Sequence, residues 1–217
     1  DKAMRKATIT SNSPVGFGES LYVKVESVNP DYTYKIQKPD GTWKDISSYE
    51  TSSARASDDG TFTLKATTPD GTELIRTINV TVRPLEFSCS PKANSMEWPF
   101  KFYFNFNNVI QGVEGSTYYV RAKSSAGYLT IIFDHPNKPG KDATYVNSIY
   151  TSNGSEGEAF AYVTDLGGSV PGQTYFMAEK ELIHVRKMED GKMAVILCDV
   201  RPLGGQSFEL VNGRIEF

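Results

Sequence analysis

The sequence predicts an all-β protein made of two antiparallel β domains, residues 1–84 and 85–217. Three observations predict it. Apolar residues recur at every second position through one short stretch after another, the period of a strand with one dry and one wet face. Twelve Phe, twelve Tyr and two Trp make up 12% of the chain, and such residues favour half-buried strands. No segment keeps a helical period over ten residues, while 18 Gly and 11 Pro punctuate the alternating stretches.

The first domain takes its strands from residues 7–82. Leu21, Val23 and Val25 alternate with Tyr22, Lys24 and Glu26. Tyr32, Tyr34 and Ile36 repeat the pattern, then Phe62, Leu64 and Ala66, then Ile78, Val80 and Val82 against Thr77, Asn79 and Thr81. The tetrapeptide Pro-Asp-Gly-Thr occurs twice, at 39–42 and 69–72, and each copy is read as a tight turn: Pro presets φ, and Gly accepts a positive φ. Pro84 cannot donate to a ladder, so Val82-Arg83-Pro84-Leu85 is read as the hinge.

In the second domain Phe100, Phe102, Phe104 and Phe106 alternate with polar residues and predict a strand that walls a core. Tyr118, Val120 and Ala122, then Leu129, Ile131 and Phe133, are read as inward. Further strands are expected near 145–150, 158–163 and 173–178. A hairpin is expected from 181–188 and 193–200 around Asp190-Gly191, with the apolar run Met193 to Cys198 covered on both faces. Asn212-Gly213 is read as a last hairpin or bulge, and 107–116 and 135–144 as the longest loops. About nine strands predict a sandwich or a small barrel. A hollow, lipocalin-like barrel is the alternative, in which the Phe wall would line an apolar cavity.

Two motifs add resemblances. Asp58-Asp59-Gly60-Thr61-Phe62 resembles the Asp-x-Gly-x-Tyr corner of immunoglobulin-like domains, with Phe62 lacking the corner's hydroxyl. Gly18-Glu19-Ser20-Leu21 is similar to the opening of bacterial Ig-like and PKD-like repeats. No cysteine pair lies within 7–82, as is common in such bacterial modules. The resemblance implies an N-terminal Ig-like β-sandwich followed by an antiparallel β-sandwich or small barrel. The order of the closing segments, through Val211-Asn212-Gly213-Arg214-Ile215-Glu216-Phe217, is similar to the C-terminal halves of exported Bacteroidetes lipoproteins of unknown function. That resemblance implies export to the periplasm or cell surface, a lipid anchor on a cysteine outside this chain as the sole membrane contact, and no assigned activity. The chain begins Asp1-Lys2-Ala3-Met4, so a processed or trimmed chain is expected and a missing leader carries no weight.

Composition narrows the function. A net charge of −3 argues against a general nucleic-acid binder. Two His and two Cys argue against a multi-cysteine zinc module. Cys89 and Cys198 either form one bond closing a long loop or are two small buried residues. His184 is read as facing solvent between inward Ile183 and Val185. Asp134 and His135 are read as loop neighbours whose side chains point to opposite faces. Glu156 and Glu158 lie on one loop, a poor geometry for glycoside hydrolysis. Asp40, Asp58, Asp59 and Asp70 are explained by turns rather than calcium. The nucleophile elbow, the phosphate-binding loop and the dinucleotide fingerprint are all absent.

The remaining signal is aromatic. Tyr103, Tyr119 and Tyr128 fall on outward faces, Arg121 shares the face of Tyr119, and Trp43 and Trp98 flank turns or linkers. Outward rings bind sugar faces and protein partners. The sequence therefore predicts a non-catalytic binding or adhesion protein with no cofactor or metal, whose ligand at Tyr103, Tyr119, Arg121 and Tyr128 is a glycan or a protein. A structural subunit of an envelope assembly is the alternative, and a carbohydrate-active hydrolase comes third.

Overall fold

The structure is a computed structural model and describes residues 7–98, 102–148, 157–165, 172–203 and 210–217. It is all-β: among the described residues the one helical element is a 3₁₀ turn, Ala56–Asp58. No helix of the described residues is long and apolar enough to cross a membrane. The chain divides between Pro84 and Leu85 into two compact units.

In the first unit, β1 (Ile9–Ser11), β3 (Leu21–Val25) and β6 (Ser48–Thr51) form one sheet, in the order β1-β3-β6. A second sheet runs β5 (Trp43–Lys44), β4 (Thr33–Gln37), β7 (Gly60–Thr67), β8 (Glu73–Val80). β2 (Val15–Gly16) and β9 (Val82–Arg83) add a short parallel pair. This is the strand order of an immunoglobulin-like sandwich. Leu21, Val23, Val25, Ile36, Phe62, Leu64 and Ala66 are buried between the sheets, as the alternation predicts. Phe62 cannot supply the corner's hydroxyl, and Tyr49 supplies one from β6. Its hydroxyl donates to buried Asp58 Oδ1 at 2.7 Å, while its ring packs 5.4 Å from that of Phe62. Burial and the Asp58 carboxylate together hold the Tyr49 hydroxyl well above its ordinary pKa.

The two Pro-Asp-Gly-Thr turns are the same structure. In each, the Asp Oδ1 accepts the N–H two residues on, at 2.6 Å for Thr42 and 3.1 Å for Thr72, and the Gly takes φ of +89° or +85°. The turn at Asp190-Gly191 repeats both features, with Lys192 N–H on Asp190 Oδ1 at 3.0 Å.

The second unit is one curled sheet of eleven strands. In chain order they are β10 (Ser95–Trp98), β11 (Phe102–Asn105), β12 (Asn108–Glu114), β13 (Thr117–Lys123), β14 (Gly127–Phe133), β15 (Ala143–Asn147), β16 (Glu158–Asp165), β17 (Thr174–Phe176), β18 (Leu182–Lys187), β19 (Met193–Val200) and β20 (Val211–Glu216). Across the sheet the order is β11-β10-β20-β19-β18-β15-β16-β14-β13-β12, with β17 paired to the later part of β16. All the ladders are antiparallel except the short β15–β16 pair.

The concave side is packed with side chains. The Phe133 ring lies 4.9 Å from Tyr145 and 6.2 Å from Tyr118, whose ring in turn lies 6.4 Å from Phe217. Trp98, on β10, meets Tyr175 on β17 at 5.6 Å. Rings from the two halves of the strand order thus meet inside, which favours a filled interior over a hollow one. Phe104 and Phe106 are buried; Phe100 and the side chain of Phe102 lie outside the described residues.

Four expectations are corrected here. Residues 107–116 are not a loop but contain edge strand β12. Its alternation is invisible because neither face of this strand is covered: Ile110 and Val113, of opposite faces, are 45% and 57% exposed. Of the two readings of Asn212-Gly213 the hairpin fails, since the pair lies inside β20, while a bulge does fall opposite Asn212, with the extra residue on the partner strand between Leu197 and Val200. Asn212 holds that bulge by accepting from Asp199 N–H at 2.9 Å and donating to Asp199 Oδ1 at 3.1 Å.

The third correction concerns His184, which is 4% exposed. It does face the convex side, but residues 85–89 cross that side as a strap. The Phe87 ring stacks on the imidazole at 4.5 Å, Leu85 N–H donates to Thr144 Oγ1, and Arg186 Nη2 donates to Leu85 O at 2.7 Å. Burial and neighbouring Arg186 push His184 down to about 4. Cys89 and Cys198 form a disulfide that pins the strap's end to β19. In β19, where the bond anchors the strap, Met193 to Leu197 are all buried, as the apolar run predicts.

The fourth concerns Asp134 and His135. β14 ends at Phe133, so strand parity no longer separates them, and both act on Tyr145: His135 Nε2 lies 3.2 Å from its hydroxyl, and Asp134 acts through its charge. Asp134 Oδ2 accepts Glu158 N–H at 3.2 Å, and Oδ1 is buried with no partner among the described residues. Burial, with the nearby Glu158 charge, lifts this carboxyl to about 6.

An unfolded Asp titrates near 3.9. Raising the pH from 4 to 6 therefore ionises the unfolded chain before the folded one and lowers stability, and the loss persists above pH 6. We expect Asp134→Asn to match the parent in urea midpoint near pH 4 and to exceed it at pH 8, by about 1 kcal/mol after allowance for partial solvent screening. His184 works in the opposite sense: the unfolded chain takes up its proton first as pH falls from 6.5 towards 4. It is common to both proteins, so it cancels in the difference. Equal midpoints at pH 8 would show that Asp134 is not strained by burial.

Candidate functional site

The convex face of the second unit is covered by the strap over β18 and β19 and carries half-buried rings over β13, β14 and β16 and the exposed ring of Phe176 on β17. The pattern of β16 explains the rings. Ala159, Ala161 and Val163 point inward and are buried, while Phe160 and Tyr162 point outward. Large rings inside would collide with the aromatic core beneath; small residues inside and large ones outside invert the usual amphipathic strand. The register then groups the rings. Tyr162 pairs with Phe176, and the ring centroids of Phe160, Tyr162 and Phe176 lie 5.4–6.2 Å apart.

The same register aligns cations and hydroxyls with these rings. One row across the strands reads Ile110, Arg121, Thr130, Tyr162, Phe176, and the next reads Asn108, Lys123, Tyr128, Thr164, Thr174. Arg121, Tyr128, Thr130, Tyr162 and Thr164 line a depression of about 240 Å³. Thr130 is its floor, only 1% exposed although it sits on the convex face. Its Oγ1 accepts Arg121 Nε–H at 3.1 Å and so fixes the plane of the guanidinium. Arg121 also lies 5.8 Å from the Tyr119 ring, and Lys123 Nζ 5.5 Å from that of Tyr128. The Tyr119 ring rests on Gly112 across the β12–β13 ladder, where a Cβ would stand 3.1 Å from its hydroxyl.

Three of the four residues singled out in the sequence, Tyr119, Arg121 and Tyr128, therefore meet on one surface. The fourth does not. Tyr103 is on β11, at the far end of the strand order from β13, and is 63% exposed. Its hydroxyl lies 3.3 Å from Glu97 Oε1, and it lines a separate depression with Lys92, Ser95, Asn105 and Asn212. Sequence reasoning missed Phe160, Tyr162 and Phe176. The signal was the alternation of Ala159, Ala161 and Val163 with rings, which marks the small residues as the inner face. Of the two acids considered for hydrolysis, Glu156 lies outside the described residues, and Glu158 contacts Asp134 rather than this depression. Among the described residues no cluster of three or more His, Cys, Asp or Glu side chains is arranged to hold a metal ion.

No protein-family model matches this chain, and no curated protein sequence matches it.

Proposed function

We propose that the second unit is a non-catalytic glycan-binding module of an exported envelope protein, with the Ig-like unit as its spacer. The observation that carries this reading is the outward turn of Phe160 and Tyr162 beside Phe176, next to the depression at Arg121, Tyr128 and Thr130. Rings presented on a rigid sheet stack on sugar faces at low entropic cost, and the hydroxyls of Thr130, Thr164 and the tyrosines suit sugar hydroxyls. The Cys89–Cys198 bond supports an oxidising compartment, and with it export to the periplasm or the cell surface, where a lipid anchor would lie outside this chain.

On a glycan array the full chain is expected to retain a subset of sugars. Tyr162→Ala and Tyr128→Ala should each weaken retention about tenfold, a loss of roughly 1.4 kcal/mol, while Tyr103→Ala should leave it unchanged. Retention that survives both site variants, or that Tyr103→Ala abolishes, would remove the assigned surface.

A structural role in an envelope assembly is the second reading. It is favoured by edge strand β12, seven residues long and paired on one side alone among the described residues, from which Ile110 and Val113 project. Such an edge accepts a strand from a partner protein. An array that retains no sugar would favour this reading over the first.

A further inference from the structure

We propose that the glycan is anionic and that Arg121 receives its acid group, an inference that rests on the glycan-binding reading of this surface. The argument starts from the charges. Arg121 and Lys123 occupy the same face of β13, and among the described residues neither is paired with a carboxylate. The described lining of the depression holds one cation, two phenols and two threonine hydroxyls, and no acid. This is local positive charge on a protein of net charge −3, so it is a feature of the site and not of the surface at large.

The guanidinium is also prepared for a ligand. Thr130, at the floor, takes its Nε–H, and the two terminal nitrogens remain without a hydrogen-bond partner among the described residues. A guanidinium held in plane presents two parallel donors, the geometry that matches a carboxylate fork. Arg121 and Tyr162 lie two strands apart in one row, about 10 Å between backbones. A sugar ring laid against Tyr162 or Tyr128 thus brings a substituent on its rim to Arg121. Lys123, one row along, would meet the next charge of a repeating chain. The occupant that satisfies the rings, the hydroxyls and the cations together is a uronate-bearing saccharide chain.

The test uses the full chain and three polymers, polygalacturonate, dextran sulfate and dextran, in affinity electrophoresis and titration calorimetry. Polygalacturonate should bind, more weakly as salt rises, and dextran should bind at least tenfold more weakly. Arg121→Gln should reduce polygalacturonate binding at least tenfold. Arg121→Lys, which keeps the charge and loses the fork, should recover only part of it. Dextran sulfate bound in an Arg121-dependent way, with polygalacturonate unbound, would keep the acid seat but make it one for sulfate and overturn the uronate assignment. Polyanion binding that Arg121→Gln leaves unchanged would be charge adsorption and would overturn the proposal. Binding of neutral dextran that Tyr162→Ala abolishes and Arg121→Gln does not would overturn the anionic ligand and leave the glycan reading standing. No binding of any polymer, together with an empty array, would remove both.

Discussion

Replacing Cys89 and Cys198 together by serine is expected to lower the stability of the second unit by about 4 kcal/mol and to leave the first unit unchanged. The bond closes a loop spanning a sequence separation of 109, and cross-linking so long a loop removes much of the freedom of the unfolded chain. It also fixes the strap whose Phe87 covers His184 and whose Leu85 bonds to Thr144 and Arg186. The first unit has neither cysteine. Each unit holds one tryptophan, Trp43 on β5 and Trp98 on β10, so the two can be followed separately. In a Trp43→Phe background, urea unfolding read from Trp98 should shift to lower denaturant in the double serine variant. In a Trp98→Phe background the Trp43 transition should stay where it was. An unmoved Trp98 transition would show that the bond adds nothing to the fold.

Phe133→Ala is expected to cost about 4 kcal/mol, within the range for emptying a packed phenylalanine site. Phe133 is fully buried and meets the rings of Tyr118, Tyr145 and His135. Were the interior a hollow ligand cavity, removing one wall ring would enlarge the cavity at little cost. Phe176→Ala supplies the contrast within one sheet. Phe176 is 38% exposed on the convex face, and its truncation should cost no more than about 1 kcal/mol while weakening ligand binding. Denaturant midpoints of the two variants, read side by side, place the core on the concave face and leave the convex rings outside it. Similar midpoints would mean that the concave side is not the core.

The parts of this fold legible in the sequence are those where one face of a strand is wet and the turn is local. Leu21-Val23-Val25, Phe62-Leu64-Ala66 and Leu129-Ile131-Phe133 announce their inner faces by parity alone. The β13–β14 hairpin is local too, which is why Tyr119, Arg121 and Tyr128 could be singled out and do converge. Legibility fails where burial is decided from afar. His184 reads as a wet residue, and nothing beside it in the sequence announces a strap from residues 85–89. β12 has no period because neither of its faces is dry, with Ile110 and Val113 exposed on opposite sides. Tyr162 comes to line the depression at Arg121 through a strand order, β16-β14-β13, that skips β15, and short-range pattern does not encode such a crossing. Tyr103 was grouped with Tyr119 because both are outward tyrosines, and outwardness says nothing of position along an eleven-strand sheet.

The disulfide has a mechanical consequence. Any tension drawn through the junction at Pro84 enters the second unit at Leu85 and meets a covalent bond four residues later, at Cys89. Peeling the strap can therefore yield only about 14 Å of extended chain before the load passes to Cys198. Cys198 lies on β19, a strand with neighbours on both sides in β18 and β20. Force then acts on two long hydrogen-bonded ladders within the sheet, rather than on the loose start of the unit. A chain held by its first unit and pulled from its second would be loaded in this way.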